Sequence, residues 1–246
     1  ATTDAPAEGD ASSSAVDAIK AKGELVMLTN AAFPPFEYLG ADNNVAGVDV
    51  DIAQAVADEL GVALKVVDMD FDGIVPAIQT GKGDLGVAGM TATEERMKTV
   101  DFSINYVDAA QVIIVRADDT SIAGAADLEG KNVGVQNGTT GDLYVTDETG
   151  ANPYRYKTGA DAAIELTNGK LDAVVLDEMP ANEIVASNSA LKVLDESLTE
   201  EQYAIAIAKG KDDLKAVVDS VVAKLLEEGK IDEWIEAHKQ ASETLE

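Results

Sequence analysis

Cysteine is absent from the 246 residues, which excludes disulfides, thiolate metal sites and a cysteine nucleophile. Histidine occurs once, as His238. Serine–histidine–acid triads, histidine-pair metallohydrolase sites and most imidazole acid–base schemes need a well-placed imidazole. His238 falls in the amphipathic stretch from Ile231 to Gln240, where Ile231, Trp234 and Ile235 share a face, and it reads as a surface or packing residue. Basic residues are scarce: 18 Lys and Arg against 46 Asp and Glu give a net charge of −28 and a pI near 4.1. Such a surface repels phosphate backbones and anionic lipid, so nucleic acid and the membrane surface are not expected partners. Long apolar runs are missing as well. None approaches the roughly 20 residues of a membrane span, and no charged-then-apolar leader opens the sequence.

What remains, 46% hydrophobic and 26% charged, suffices for one large or two small domains with real cores. Residues 1–20 are mostly small and acidic and predict a disordered tether, and 241–246 predict a tail. Between them short β-rich runs alternate with helical patterns. Strands are expected at Leu25–Leu28, Leu64–Val67, Leu85–Ala88, Val112–Val115, Val133–Val135, Ala173–Leu176 and Tyr203–Ala208. Helices are expected at Asp51–Leu60, Gly73–Gln79, Ala160–Thr167, Asn182–Ala186, Asp212–Leu226 and Ile231–Ala237. This alternation predicts an α/β fold with largely parallel sheets. A weak internal echo adds to it. Ala77-Ile78, then Gly81-Lys82-Gly83-Asp84, precede the strand at Leu85; Ala163-Ile164, then Asn168-Gly169-Lys170-Leu171-Asp172, precede the strand at Ala173. Two lobes of similar construction would produce it.

Several motifs have duller readings that fit better. Gly81 to Gly86 matches GxGxxG, yet a helix precedes it and a strand follows, the reverse of a dinucleotide site. Asp68-Met69-Asp70-Phe71-Asp72-Gly73 resembles the start of a calcium loop, but the twelfth position is Gln79 rather than a bidentate glutamate, and Asp72 can cap the next helix. Asp49 and Asp51 open a helix, where acids favour the dipole. No cofactor and no metal are expected.

Other positions keep two readings open. Gly138-Thr139-Thr140-Gly141 is either an anion-binding concavity or an ordinary strand-to-helix turn. Arg96 is one of three arginines and follows Glu94 and Glu95 near a helix start capped by Thr91 or Thr93, where a cation opposes the dipole. It either grips a carboxylate or pairs with a surface acid. Asp177 ends the strand Ala173–Leu176 and is either a helix cap or a partner for a ligand cation. Phe33, beside Pro34-Pro35, and Phe71 stand at strand ends, with core packing as the default. Together, an arginine fork, an anion-binding turn, an acid and two aromatic faces at strand ends describe a receptor for a free amino acid.

Phe33-Pro34-Pro35-Phe36-Glu37-Tyr38, Gly47-Val48-Asp49-Val50-Asp51 and Asp70-Phe71-Asp72-Gly73-Ile74-Val75-Pro76-Ala77 resemble the polar-amino-acid solute-binding proteins of ABC importers. So do Gly89-Met90-Thr91-Ala92-Thr93-Glu94-Glu95-Arg96, Val100-Asp101-Phe102-Ser103 with Tyr106, Gly134-Val135-Gln136-Asn137-Gly138-Thr139-Thr140 and Leu171-Asp172-Ala173. The resemblance runs from about residue 23 to 240 and is nearest to glutamine- and arginine-type family 3 extracellular solute-binding proteins.

The resemblance implies a two-lobed periplasmic-binding-protein-like fold of type II, with two hinge strands and the ligand in the interlobe cleft. Lobe 1 would comprise 21–108 plus 205–240, and lobe 2 would comprise 109–204, with crossings near Tyr106–Ala110 and Glu201–Ile205. Arg96 would clamp the ligand's carboxylate, with the Thr91 hydroxyl and amide and the Thr140 amide. Asp177 and the Gly89 carbonyl would take the ammonium, and Phe33 and Phe71 would stack on the side chain. Asn30, Gln136 and Leu176 would touch the side chain; all three are uncharged, which favours a neutral polar ligand such as glutamine, with arginine next. The same family implies a non-enzymatic, extracytoplasmic monomer that delivers its amino acid to an ABC permease, meeting the membrane only through an N-terminal lipid anchor. Two alternatives stand beside it. A ligand-sensing ectodomain would carry a downstream membrane span, and an arogenate or prephenate dehydratase on this scaffold would need a general acid in the cleft.

Overall fold

The computed structural model describes residues 14–243. Residues 24–102 and 206–208 supply one five-stranded sheet, in the order Ala63–Asp68, Glu24–Thr29, Leu85–Gly86, Ala206–Ala208, Val100–Phe102. A second sheet has the order Asn152–Tyr156, Asn132–Gln136, Ala173–Asp177, Gln111–Arg116, Leu191–Val193. In each, the first three strands are parallel and the fourth runs antiparallel to both neighbours. The fold is α/β with two sheet-containing lobes, as the alternation of patterns predicts.

The internal echo has a structural cause. Helix Ile74–Gln79 leads into the third strand of one sheet at Leu85, and helix Gly159–Thr167 leads into the third strand of the other at Ala173. Repeating the same helix–turn–strand step places Ala88-Gly89 and Asp177 at equivalent strand ends. The fourth strand of each sheet is the one that arrives through the connection between lobes. That connection is an antiparallel pair, Val107–Ala109 with Glu201–Tyr203. The stretch expected as one strand, Tyr203–Ala208, is therefore two, with Ala204 and Ile205 between the connecting pair and the first sheet.

Apolar strands are covered by helices on both faces. One large core cluster runs from Leu25, Met27 and Ile52 through Tyr106, Val107 and Tyr203 at the connection to Val112, Ile114 and Leu166 in the second lobe. Helix Asp212–Glu227, whose lobe the sequence pattern leaves open, packs on helices Val48–Leu60 and Ala15–Lys22.

Two boundaries need correction. Residues 15–20, expected within a disordered tether, belong to helix Ala15–Lys22, capped by the Ser14 hydroxyl and anchored by buried Ala15 and Ile19; residues 1–13 lie outside the described residues. The last helix, Lys230–Glu243, continues past residue 240, where the tail was expected to start. His238 also has partners that its sequence neighbours do not supply: Nδ1 lies 2.8 Å from Tyr38 Oη and Nε2 lies 2.7 Å from Asp51 Oδ2. It pins the last helix to the first lobe. Among the described residues no helix is long and apolar enough to cross a membrane.

Candidate functional site

Strand ends from both sheets converge on a cavity between the lobes. Its walls include nine of the ten expected residues: Asn30, Phe33, Phe71, Gly89, Thr91 and Arg96 from the first lobe, and Gln136, Thr140 and Asp177 from the second. Glu37, Ala88 and Thr139 line it too. Leu176 does not. It is 3% exposed and packs in the second lobe's core, with its side chain against Gly159. Successive side chains of a strand point to opposite faces, so Leu176 and Asp177 cannot both face the cavity.

Arg96 is the third residue of helix Glu94–Thr99, which Thr93 caps through its hydroxyl. The guanidinium does not pair with Glu94 or Glu95. It donates to the Thr91 carbonyl at 2.7 Å and, across the cleft, to the Gly138 carbonyl at 3.0 Å. Its Cζ stands 5.3 Å from the centre of the Phe71 ring, so Phe71 supports the arginine as well as walling the cavity. Burial lowers the Arg96 pKa to about 10, opposed by the charges of Glu201 and Asp177. It remains a cation at neutral pH.

Asp177 ends its strand and serves as the N-cap residue of helix Glu178–Ser187, but its carboxylate makes no cap bond and turns into the site. Tyr203 Oη donates to one oxygen at 2.5 Å and Gln111 Nε2 to the other at 2.8 Å. Burial raises its pKa to about 7 despite these two bonds. Glu37 is buried more completely, at 1% exposure, and its Oε2 has no hydrogen-bond partner. Burial first, then the neighbouring Asp49 carboxylate, push Glu37 well above the usual carboxylate range. Asp49 itself is fully buried rather than simply lodged at a helix start. It accepts from the Gly89 amide and from Tyr106 Oη, both at 2.8 Å, and burial raises it to about 6.

Gly89 cannot be another residue. Its φ is +51°, and a Cβ there would come within 2.6 Å of the Phe33 ring. Gly138 has φ +75°, and its Cβ would lie 3.0 Å from Asp72 Cβ in the opposite lobe. Asp72 sits in a short 3₁₀ turn and makes no helix cap; it accepts from Asn137 Nδ2 across the cleft at 2.6 Å. Lys157 and Asp70 join the lobes at 2.9 Å. Thr139, not Thr140, caps helix Thr140–Glu148, which leaves the Thr140 and Gly141 amides at the first turn without intrahelical acceptors. Gly138–Gly141 is thus a helix start facing the cavity.

Three polar partners escape sequence reasoning. Glu201, Gln111 and Tyr203 act on Thr91, Thr140 and Asp177 from positions 26 to 110 residues away in the chain. Only Glu201 and Tyr203 carry a signal, by falling within the expected crossing. Among the described residues no cluster of His, Asp or Glu could hold a metal ion, Asp68–Asp72 included.

An enclosed cavity between lobes, with a guanidinium on one wall and carboxylates on others, can hold a small zwitterion. The sequence model of the bacterial extracellular solute-binding proteins, family 3, matches residues 25–240. An L-arginine-binding protein from Pseudomonas aeruginosa is 33% identical over 211 residues, covering 81% of this chain and 82% of that protein. The structure of holo ArgBP from T. maritima is similar at 44% identity and a TM-score of 0.83, covering 89% of this chain and 98% of that one. The substrate-binding protein AbpA from Streptococcus pneumoniae, bound to L-arginine, is similar at 35% identity and a TM-score of 0.89, covering 92% and 98%.

Proposed function

The chain belongs to the bacterial extracellular solute-binding proteins of family 3, and from that premise we propose that its ligand is L-arginine. That it is an amino-acid-binding protein of the ABC-transporter type, and not an enzyme, follows from the family and from its relatives. The choice of amino acid rests on one observation. The ionisable groups lining the cavity are Glu37, Asp177 and Arg96. Burial beside Asp49 favours a protonated Glu37, and a cationic side chain brought next to it favours the ionised form, which gives the lining a charge of −1. A ligand of charge +1 balances it and gains an ion pair; a neutral zwitterion such as glutamine leaves Glu37 protonated and gains nothing from it. The names of the relatives lend the same support. Glutamine, first choice from the uncharged Asn30, Gln136 and Leu176, becomes the second reading.

In this reading the α-carboxylate meets Arg96 and the first-turn amides at Thr140. The α-ammonium meets Asp177 and the Gly89 carbonyl, and the side chain runs between Phe33, Phe71, Asn30 and Gln136. Because the charges come from different lobes, ligand satisfies both only when the lobes are together, and that differential affinity drives closure. The loaded form is then recognised by a membrane permease, with the protein placed outside the cytoplasmic membrane. Calorimetric titration with arginine, lysine, histidine and glutamine tests the assignment. Arginine is expected to bind tightest; tighter glutamine binding overturns it.

A further inference from the structure

Glu201 opens the second connecting strand, opposite Ala109. Its Oε2 accepts from Thr91 Oγ of the first lobe and from Thr140 Oγ of the second, both at 2.7 Å. Its Oε1 accepts from Thr199 Oγ at 2.9 Å. A threonine hydroxyl has one proton to give. Thr91 and Thr140 have both given theirs to Glu201, and Thr140 Oγ accepts in turn from Gln111 Nε2 at 3.2 Å. The two hydroxyls therefore offer lone pairs, not protons, to anything else. That polarity is wrong for a ligand's carboxylate beside Arg96, whose guanidinium also feels the Glu201 charge.

We infer that Glu201 is an internal competitor for the carboxylate end of the site: it holds the hydroxyls of Thr91 and Thr140 until an amino acid's carboxylate takes them over. The inference rests on the amino-acid reading above and adds the residue that sets affinity at that end. The exchange has somewhere to go. Beyond Thr91 an open cleft lined by Asn105, Asp108, Thr199 and Gln202 adjoins Glu201, where a released carboxylate is hydrated. One carboxylate replaces another on the same two donors, so the ligand gains only the difference. A protein whose competing arrangement is removed binds more tightly by the fraction that arrangement occupied.

The test compares L-arginine with L-argininamide, which keeps both cationic groups but has no carboxylate, in calorimetric titrations of wild type, Glu201→Gln and Glu201→Ala. In Glu201→Gln, arginine is expected to bind about tenfold more tightly, with argininamide unimproved. Glu201→Ala should show the same widening of the ratio. Equal factors for both ligands, as from a disturbed hinge, overturn the inference, and so does weaker arginine binding. If wild type binds neither arginine nor any other amino acid, the underlying functional reading fails, and this inference with it. A crystal structure of wild type with arginine needs no variant: Glu201 turned away from both hydroxyls supports the exchange, and Glu201 still accepting from both refutes it.

Discussion

Gln136 Nε2 donates to Asn30 Oδ1 at 2.9 Å, directly across the cleft between the lobes. Asn30 Nδ2 is held by the Met69 carbonyl at 2.9 Å, so its oxygen is the end presented to the second lobe. The pair forms the polar, uncharged wall against which a ligand side chain would lie. Changing Asn30→Asp keeps an acceptor for Gln136 but puts a carboxylate oxygen against Met69 O. Affinity for every amino acid should fall. The ratio of arginine to glutamine affinity should nonetheless rise about tenfold, since a charge at partly solvated distance contributes a kcal/mol or more to a cation. An unchanged ratio in parallel titrations would place Asn30 away from the side chain.

Arg96 joins the lobes through the Gly138 carbonyl, is held in its own lobe by the Thr91 carbonyl, and in the proposed reading clamps the ligand's carboxylate. Charge-assisted hydrogen bonds contribute about 1.5–3 kcal/mol each, so Arg96→Ala should weaken arginine at least about 100-fold. Both carbonyls can turn to water, so thermal unfolding without added amino acid should change little. A large fall in melting temperature with binding retained would make Arg96 a structural residue.

Asp177 sets an expected pH dependence. Its pKa is raised from 3.8 to about 7 by burial, so the protein holds a proton there through weakly acidic pH. An ammonium partner favours the ionised form and expels that proton. Affinity should therefore rise with pH up to about 7 and level off above, by on the order of 20-fold between pH 5.5 and 7.5. The same raised pKa means Asp177 adds stability below pH 3.8 that is lost as pH climbs through about 7. Asp177→Asn should flatten the binding profile and weaken amino acids strongly. The fold should tolerate it, because Tyr203 keeps an acceptor and Gln111, whose Oε1 is buried without a partner, can flip its amide to accept. A pH profile unchanged by Asp177→Asn would remove Asp177 from the ammonium end.

The parts legible in the sequence were those written locally. Apolar strands, glycine turns and the Thr93–Arg96 and Gly138–Thr140 turns each fit within a few residues, and convergence at strand ends follows from the α/β layout. Pairings across the chain were not legible. Glu201 meets Thr91 from 110 residues away, and His238 meets Tyr38 and Asp51 from 200 and 187 away. The first helix is hidden by composition: its signals, Ser14, Asp17, the i, i+4 pair Ala15 and Ile19, Lys20 and Lys22 in the last turn and Gly23 at the end, follow a small, acidic stretch. Glu37 stands in the Phe33–Tyr38 motif without a local sign of a site role. Its place in the wall depends on the hairpin pairing Phe33 with Glu37, which brings both to the cavity.

The sequence does not separate Leu176 from Asp177, its neighbour that lines the cavity, because the two are equally near in the chain. Strand Ala173–Asp177 alternates faces, and its register opposite Gln111–Arg116 fixes which way each side chain turns. Leu176 goes to the core, where Gly159 makes room for it: a Cβ on Gly159 would lie 2.7 Å from a Leu176 methyl. Leu176→Ala should therefore cost about 2–5 kcal/mol of unfolding free energy, as buried leucine truncations do. Titrations of the folded variant should show the wild-type order of amino acids, because Leu176 touches no part of the ligand, while a uniform weakening through its chain neighbour Asp177 would leave that order intact. Denaturant unfolding with calorimetry distinguishes the two roles. A reordered preference without loss of stability would return Leu176 to the cavity.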